Sequence, residues 1–561
     1  MRITYNDKLN KLLNPYLESL LKEKSSLEPE TLTLFNLFME DLDMGGRYGI
    51  FSEILEPRLE EIIREENIES IANLMDGRLN TLFRYMLGDE FAGLFHTYLQ
   101  LEARCPHTIG YDRRAQRSAN PSNHLDHARD AWLQFLKLRA TGFSVEAILK
   151  GGNTPEDTEE FSGYMNSSYW LAAQIAQGNE KVIEYLNQVL TSENNVHRLQ
   201  RWYLHAIAIS GYRPLLELEG KLLLAAKLQE GLRQAIVETM DEGCPESYLY
   251  LFSIIYNNGL QRFASVKRSI AVCTGIGEQD SSERITNKYV ELIWNFLNHP
   301  ETARNALQSK DTVVLYLALW SIGFYDTDEI RAIVPDIIRK GAKHQIQTLL
   351  YFLRCTQSSQ MNHLISKDAF EVWHDDPKVV AAILPLYMDG LYLSRYSDNK
   401  EAPTLSDYFE SPEEAVRHYG YLKQVYQSIS AKEIYSPYVF PWDCVVLTRS
   451  DVVHKMAYIA WMTNDIRLRE ELCTYLPALE SYSRASYIGI VLAHTESKVE
   501  QEYVLQSLGD RSSDIRDEAY KVLSEMSLSP EQYQNIEELL RFKYSEMRIN
   551  AINLLMKQPE A

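Results

Sequence analysis

The C-terminal end of the chain repeats itself at a fixed offset, and this repeat constrains the possible folds most strongly. The segment from Leu508 to Leu523 aligns with the segment from Leu540 to Leu555, at an offset of 32 residues (540 − 508). Matched positions carry the same or a similar residue: Leu508/Leu540, Ser513/Ser545, Asp514/Glu546, Arg516/Arg548, Ala519/Ala551 and Leu523/Leu555. A fixed period of about 20–50 residues, with two helical segments in each unit, is the signature of stacked helical repeats.

The second helix of each repeat unit has its apolar residues on one stripe. The first copy places Ile515, Ala519, Val522, Leu523 and Met526 at helical spacing, and the second copy places Met547, Ala551, Leu554 and Leu555 there. Between the copies, Ser529, Pro530 and Gln532 form a helix start signal, because serine caps the helix, proline fits its first position and glutamine reaches back. The pattern predicts one-sided helices that pack on each other.

Two details of the repeat indicate a resemblance to a known repeat family and an extension of the natural chain beyond Ala561. The pairs Asp514/Arg516 and Glu546/Arg548 at the helix start resemble the second helix of HEAT repeats. This resemblance implies an all-α fold, which we predict to be an irregular α-solenoid of HEAT-like helix pairs with a helical N-terminal region. The last helix carries Ile549 and Ile552 where the first copy has Asp517 and Tyr520. Because terminal repeats normally have a polar outer face, we expect Ala561 not to be the natural terminus.

Polar breaks divide the helical pattern into four predicted segments. They are an N-terminal helical region at 1–106, a helical-hairpin array at 124–273, degenerate HEAT-like repeats at 285–393 and C-terminal HEAT-like repeats at 411–561. Strand signals are sparse, with no sustained alternation of apolar and polar residues. The stretch Tyr435 to Trp442, which contains two prolines, is predicted to be a non-helical loop.

Composition narrows the range of functions. The formal net charge of −21 argues against a general binder of phosphate backbones, which needs a basic face. The six cysteines lie far apart without a C-x-x-C pair, which is typical of reduced, buried thiols in a cytoplasmic protein. We find neither an apolar signal region nor a run of eighteen apolar residues, so we expect a cytoplasmic protein without membrane segments.

The common catalytic motifs are absent from the sequence. It has no P-loop, G-x-G-x-x-G, H-E-x-x-H, G-x-S-x-G or EF-hand loop, so we predict a non-enzymatic chain without a cofactor. Three groups of residues offer alternatives to this prediction. A zinc site needs Cys105, His107, His124 and His127 to converge. A catalytic nucleophile with its base could be read into three residues close in sequence, Cys444, Asp451 and His454. Asp451 is, however, expected to cap a helix. The acidic loop at 156–160 is more typical of a solvated charge run.

Basic residues give an alternative binding function. Arg113, Arg114 and Arg117 lie in a polar connection, and Arg516, Arg541, Lys543 and Arg548 lie in the C-terminal repeats. If these groups converge on one groove, they form a nucleic-acid site whose affinity falls steeply with salt. A solvated loop paired with acidic surfaces is the simpler interpretation.

The most distinctive sequence upstream of the repeats is an aromatic stretch from Phe440 to Asp465. It includes Trp442 and Trp461, which we expect either to pack in the core or to contact a partner. Together with the HEAT-like helices, this stretch resembles the N-terminal helical region of large bacterial molybdate-metabolism-regulator-like proteins of unknown function. The leading hypothesis is a protein-interaction scaffold that binds a protein partner or another domain of its full-length chain. Arg113, Arg114, Arg117, Trp442, Trp461, Arg516 and Arg548 are the candidate partner-binding residues.

Overall fold

A computed structural model of the chain gives the fold. It describes residues 7–43, 78–102, 104–105, 135–136, 138–149, 166–191, 199–226, 229–274, 285–325, 327–356, 359–389, 391–396, 401–429, 434–437, 444–541 and 544–557. Within these residues the chain is helical apart from one two-stranded sheet, which confirms the predicted all-α class. No helix in the described ranges is long and apolar enough to cross a bilayer.

The chain forms two compact units. The first comprises residues 1–309, 317–330 and 355–358, and the second comprises residues 310–316, 331–354 and 359–561. Residues of helices α15 (Thr312–Tyr325), α16 (Thr327–Lys340) and α17 (Lys343–Thr356) are divided between the two. The four segments predicted from the polar breaks stay a prediction.

The first unit contains helices α1 to α14. They are α1 (Asp7–Glu23), α2 (Pro29–Asp43), α3 (Arg78–Leu87), α4 (Asp89–Glu102), α5 (Val145–Leu149), α6 (Asn166–Ala176), α7 (Glu180–Thr191), α8 (Arg201–Ser210), α9 (Arg213–Ala225), α10 (Glu230–Asp241), α11 (Pro245–Asn258), α12 (Ala264–Thr274), α13 (Asn287–Asn298) and α14 (Pro300–Ala306).

Alternate helices of the first unit pack on each other in two rows. In one row α4 contacts α6, α6 contacts α8, α8 contacts α10 and α10 contacts α12; in the other row α7, α9, α11 and α13 pack in the same way. Each helix therefore buries apolar residues against its second neighbour along the chain. Leu204, Ile207 and Ile209 of α8 are all buried.

The second unit contains helices α18 to α27 and the sheet. The helices are α18 (Ser359–Trp373), α19 (Pro377–Ile383), α20 (Pro412–Ser428), α21 (Arg449–Thr463), α22 (Ile466–Leu472), α23 (Ser481–Ile490), α24 (Lys498–Ser507), α25 (Ser513–Glu525), α26 (Pro530–Glu538) and α27 (Ser545–Leu555). Here too α23 packs on α25 and α25 on α27, while α22 packs on α24 and α24 on α26.

In the C-terminal repeat, the apolar stripes and the helix start lie where the sequence predicts them. Ile515, Ala519, Val522 and Leu523 are buried, as are Met547, Ala551 and Leu554 in the second copy, whereas Met526 and Leu555 are half-buried. The Ser529 hydroxyl accepts from the backbone N–H of Gln532, whose side chain accepts from the N–H of Ser529. The predicted capping box is confirmed. Ile549 and Ile552 are exposed on α27.

The sheet corrects one prediction. Strands β1 (Ile434–Pro437) and β2 (Cys444–Leu447) pair antiparallel, with Ile434 opposite Leu447 and Pro437 opposite Cys444. The stretch Tyr435 to Trp442 was predicted to be a loop throughout, but its first three residues belong to β1. Four-residue strands are too short to show alternation in a sequence, and proline is tolerated at the end of a strand with one partner.

Candidate functional site

Three tyrosines of the second unit, two of them exposed and one half-buried, form a group that we call the tyrosine cluster: Tyr392, Tyr396 and Tyr482. The first two lie in the non-helical segment 391–396 and the third lies on α23. Tyr392 is 68% exposed and Tyr396 is 73% exposed. The hydroxyls of Tyr392 and Tyr482 lie 3.3 Å apart, and the rings of Tyr396 and Tyr482 lie 6.2 Å apart.

Hydrogen bonds to the helices α21 and α23 hold the segment that carries Tyr392 and Tyr396. Leu393 and Ser394 are buried, and the hydroxyl of Ser394 lies 2.7 Å from that of Tyr482. The buried hydroxyl of Ser486 accepts from the backbone N–H of Arg395 at 3.3 Å, and the hydroxyl of Tyr458 on α21 donates to the Leu391 carbonyl at 2.8 Å. The two exposed rings therefore project from a backbone that the helices below hold in place.

Arg395 lies beneath the rings and connects the segment to α25. Its side chain is only 10% exposed, and it forms an ion pair with Asp514 and a longer one, at 3.5 Å, with Glu518. Its guanidinium lies 4.9 Å from the Tyr396 ring centroid and 5.9 Å from that of Tyr482. A cation over an aromatic face attracts the ring quadrupole, so Arg395 holds both rings as well as both carboxylates.

A glycine lets the supporting helices approach each other. A Cβ atom built on Gly489 of α23 would lie 2.7 Å from Oε2 of Glu518 on α25. Glu518 is buried and also pairs with Lys521 at 2.7 Å. Gly489 therefore makes room for the carboxylate that anchors Arg395.

The hydroxyls of the cluster differ in acidity. The hydrogen bond from Ser394, followed by that from Tyr392, lowers the pKa of Tyr482. The same contact with Tyr482 raises the pKa of Tyr392. Rigid, amphipathic rings with few rotatable bonds are the side chains that contribute most often to binding surfaces, since ordering them costs little entropy. The arrangement suits the docking of a protein, whereas we see no group positioned for covalent chemistry among these residues.

Three of the seven residues predicted to bind a partner lie in the described part of the chain, and their role in binding stays a prediction. Arg113, Arg114, Arg117 and Trp442 lie outside the described residues. Trp461 is half-buried on α21, and Arg548 is exposed on α27. Arg516 donates to the carbonyls of Asp510 and Arg511, at 3.0 Å each, and so stabilises the start of its own helix.

The local groups considered for chemistry are partly described. Cys105 is buried, while His107, His124 and His127 lie outside the described residues. Asp451 was predicted to cap α21, but Thr448 is the cap and Asp451 completes the capping box from the third helical position. Burial lowers the pKa of His454 to about 4, and its ring packs 4.8 Å from that of Tyr458. His454 is therefore a neutral packing residue. The acidic loop at 156–160 lies outside the described residues.

Glu371, Glu414 and His418 form a second cluster that sequence reasoning missed. Among the described residues, theirs is the group whose potential metal-ligand atoms lie together, within 4.8 Å of one another. Glu371 lies on α18, and the other two lie one turn apart on α20. Two carboxylates and an imidazole are a donor set that divalent metals accept.

The ligand atoms of this cluster already have protein partners. His418 is buried, and its Nε2 lies 3.0 Å from Glu371 while its Nδ1 lies 2.8 Å from the hydroxyl of Tyr387. Since a carboxylate only accepts, Nε2 carries the proton and Nδ1 accepts from Tyr387. Arg417 pairs with Glu371 at 2.7 Å, and Lys367 pairs with Glu414 at 3.1 Å. A metal would have to displace both cations, so the cluster is better explained as a buried polar network.

Burial and neighbouring groups together set the pKa values in this network. Burial lowers the pKa of His418, although the neighbouring Glu371 acts in the opposite sense. Arg417 holds the pKa of the Glu371 carboxyl below its usual range, against the effect of burial. The backbone N–H of Glu410, followed by Lys367, lowers the pKa of Glu414 in the same way. The ring of Tyr421 stacks on that of His374 at 3.8 Å and its hydroxyl donates to Glu371. The cluster joins α18 to α20.

The Glu371–Glu414–His418 cluster and the tyrosine cluster differ in how far the sequence indicates them. Glu414 and His418 are spaced as neighbours on one helix face, and this signal was available. Their partner Glu371 is distant in sequence, and no local pattern points to it. Tyr392 and Tyr396 lie on either side of residue 393, where the third predicted segment ends, and no sequence pattern marks them as exposed.

Comparison with known proteins places the chain in a family. A family model described as a family of unknown function, DUF5724, matches residues 34–561. No curated protein matches the chain. The match spans most of both compact units and all of the tyrosine cluster. The chain therefore belongs to DUF5724, a family of unknown function.

Proposed function

We propose that this chain is a non-enzymatic protein-interaction scaffold and that the tyrosine cluster is a docking surface for a partner protein. The observation that carries the proposal is the pairing of two strongly exposed rings, Tyr392 and Tyr396, with a backbone anchored through Arg395. Single exposed apolar residues are common on protein surfaces and need no explanation. Grouped, preorganised tyrosines above an arginine are typical of the residues that dominate binding energy.

The packing of alternate helices supports an architecture that suits the docking of a partner protein. We infer an irregular α-solenoid of HEAT-like helix pairs, because helices pack on their second neighbours along the chain from α4 to α13 in the first unit and from α22 to α27 in the second. Such folds give long surfaces made of successive helices, on which one partner contacts several repeats. In the second unit, the cluster takes residues from the segment before α20 and from α23, and its anchor reaches α25.

The charge of the chain indicates the kind of partner. A net charge of −21 favours association with a basic surface and disfavours acidic partners. The faces of Tyr392 and Tyr396 accept cationic side chains, and Asp514 beside Arg395 is half-exposed. We therefore expect a protein that presents arginine or lysine to the tyrosine cluster. We place this interaction in the cytoplasm, as the widely spaced cysteines of the sequence predict.

Site-specific photocrosslinking in the native host tests the proposal. The variant Tyr396→p-benzoylphenylalanine places a photoreactive group within the cluster. The matched control is Tyr544→p-benzoylphenylalanine, because Tyr544 is 71% exposed in the same unit but outside the cluster. We expect one dominant crosslinked protein from position 396 and none from position 544. Equal crosslinking patterns at both positions, or none at 396, would contradict the proposal.

A further inference from the structure

A lysine of the second unit lies in an unusual environment. Lys455 is on α21, and its side chain is half-buried. Among the residues that the structure describes, no carboxylate lies within ion-pair distance of its Nζ, and no acceptor forms a hydrogen bond with it. Lysines are seldom taken out of water without such a partner, because an unpaired ammonium loses its hydration. The charged form of Lys455 is therefore poorly stabilised.

An aromatic ring is in contact with this amine. Nζ of Lys455 lies 5.6 Å from the centroid of the Tyr458 ring, one turn further along α21. The hydroxyl of Tyr458 donates to the Leu391 carbonyl at 2.8 Å, which fixes the position of the ring. The face of a ring is a weaker partner for an ammonium than a carboxylate is, so this contact leaves the amine able to lose its proton.

The titratable groups that face Lys455 lie on three parts of the second unit. Asp451 and His454 are on α21 itself, Asp389 precedes the tyrosine cluster, and His363 is on α18. Burial lowers the pKa of Lys455 to about 8, and the two aspartates oppose this effect only in part. Burial also lowers the pKa of each of the two histidines to about 4, so both imidazoles are neutral at pH 7.

This environment makes Lys455 a nucleophile near neutral pH. About a tenth of its amine is unprotonated at pH 7, against about one part in three thousand for a lysine with the usual pKa of 10.5. Only the unprotonated amine attacks an electrophile. Acylation also makes the side chain neutral, and a neutral amide is buried at a lower cost than an ammonium. The reaction therefore removes the poorly stabilised charge, which acylation of an exposed lysine does not.

We propose that Lys455 is a modification site, whose amine takes a small acyl group from an activated donor, an acyl phosphate or an acyl thioester. Nζ attacks the carbonyl carbon of the donor and forms a C–N bond. The bond from that carbon to the phosphate oxygen or to the thiol sulfur breaks, and the leaving group takes the electron pair. The proton of the amine passes to water, so the transfer needs neither an oxidant nor a reductant. The product is an amide.

Acetylation of the full chain by acetyl phosphate, with acetyl-coenzyme A as the second donor, tests this proposal. Peptide mass spectrometry follows the acetylated fraction at each lysine between pH 6.5 and pH 10. The matched control is Lys498, an exposed lysine of the same unit. We expect Lys455 to react at least threefold faster than Lys498 at pH 7. Its rate should level off above about pH 8, while the rate at Lys498 should rise up to pH 10.

The two donors distinguish the source of the acyl group. Faster reaction at Lys455 with acetyl phosphate, with acetyl-coenzyme A or with both supports the proposal and identifies the class of donor. Reaction at Lys455 that is no faster than at Lys498 with either donor would overturn it. So would a pH profile at Lys455 that runs parallel to the profile at Lys498.

Two variants test the environment of the amine. Asp389→Asn removes a carboxylate that favours the ammonium, so the rate at Lys455 should level off at a lower pH than in the wild type. The control Asp336→Asn alters an exposed aspartate that pairs with Lys340, and it should leave the profile unchanged. Lys455→Met removes the charge permanently, and we expect a higher thermal midpoint at pH 7. A lower midpoint in Lys455→Met, or an unchanged profile in Asp389→Asn, would contradict the assignment.

Discussion

Nη2 of Arg395 donates a hydrogen bond of 2.9 Å to the hydroxyl of Tyr396, the residue that follows it. The same guanidinium pairs with two carboxylates of α25. One nearly buried side chain thus links the most exposed ring of the cluster to the buried face of a repeat helix. The tyrosine cluster and the packed helices beneath it therefore depend on each other, and variants of those helices report on the cluster.

The approach of α23 to α25 gives the first prediction. Gly489→Ala should lower the free energy of unfolding by about 1–2 kcal/mol, because the new methyl displaces Glu518 from Arg395 and Lys521. The control is Gly420→Ala on α20, where a Cβ meets nothing within 4 Å. Alanine there should stabilise by about 0.5–1 kcal/mol, because it restricts the unfolded chain. Urea unfolding of both variants checks the difference in sign.

A buried histidine predicts acid sensitivity of the second unit. Nε2 of His363 lies 2.9 Å from the Tyr408 carbonyl, so it carries the proton, while Nδ1 accepts from the Met388 N–H at 2.9 Å. Protonation of Nδ1 would break the bond to Met388, a residue held at φ 52°. Burial lowers the pKa of His363 to about 4.

The sign of this effect follows from proton binding. Between pH 6.5 and about 4 the unfolded state binds a proton on this residue that the folded state does not. His363 therefore costs stability progressively as the pH falls through that window, up to on the order of 3 kcal/mol. His363→Gln should be less stable at pH 7 but should lose less between pH 7 and pH 4.5. A variant whose loss over this interval equals that of the wild type would refute the assignment.

A buried carboxyl of the first unit predicts a stabilising substitution. Glu219 on α9 is fully buried, and its carboxylate oxygens make no well-formed hydrogen bond among the residues that the structure describes, although the nearby Thr239 hydroxyl partly opposes the effect of burial. Burial raises the pKa of Glu219 well above its usual range. Above pH 4.5 the unfolded state releases this proton and the folded state keeps it, so the residue costs more stability as the pH rises.

Glu219→Met should therefore stabilise the protein by about 1–3 kcal/mol, and by more at pH 8 than at pH 5. The control Glu217→Met alters a half-exposed glutamate of the same helix that pairs with Arg213. It should change the free energy of unfolding by no more than about 0.5 kcal/mol. Thermal unfolding at the two pH values measures both variants. A destabilised Glu219→Met would show that the carboxyl has a role that its burial does not reveal.

The ion pair between Arg469 on α22 and Glu500 on α24 leads us to expect that substitutions of the two residues are strongly coupled. Arg469 of α22 makes two hydrogen bonds, at 2.8 and 2.7 Å, to the fully buried carboxylate of Glu500 on α24. Arg469→Met leaves that charge without its cation and should destabilise by about 3–5 kcal/mol. The double variant Arg469→Met/Glu500→Leu removes both charges and should recover most of the loss. A double-mutant cycle that proves additive would contradict the coupling.

Local features of the fold could be predicted from the sequence. The stripe through Ile515 and Ala519 and the capping box at Ser529 depend on neighbours within one or two helical turns, and both are confirmed. The cap at Thr448 was misassigned because Asp451 offers the same chemistry, and only the backbone geometry distinguishes the cap from its third helical position.

Features that join distant parts of the chain could not be predicted. His418 meets a carboxylate 47 residues away, and Arg395 meets one 119 residues away. No periodic pattern records such pairs, because each is created when two helices pack. The exposure of Tyr392 and Tyr396 is likewise set by what covers the segment, and tyrosine occurs in both buried and exposed positions.

The binding of the crosslinked partner to purified variants tests the docking surface most directly. The double variant Tyr392→Ala/Tyr396→Ala removes both exposed rings and leaves the anchors of Arg395 to α25 in place. We expect its affinity for that partner, measured by calorimetry, to fall at least tenfold, while Tyr544→Ala binds like the wild type. Wild-type affinity in the double variant, at an unchanged thermal midpoint, would show that the tyrosine cluster is not the docking surface.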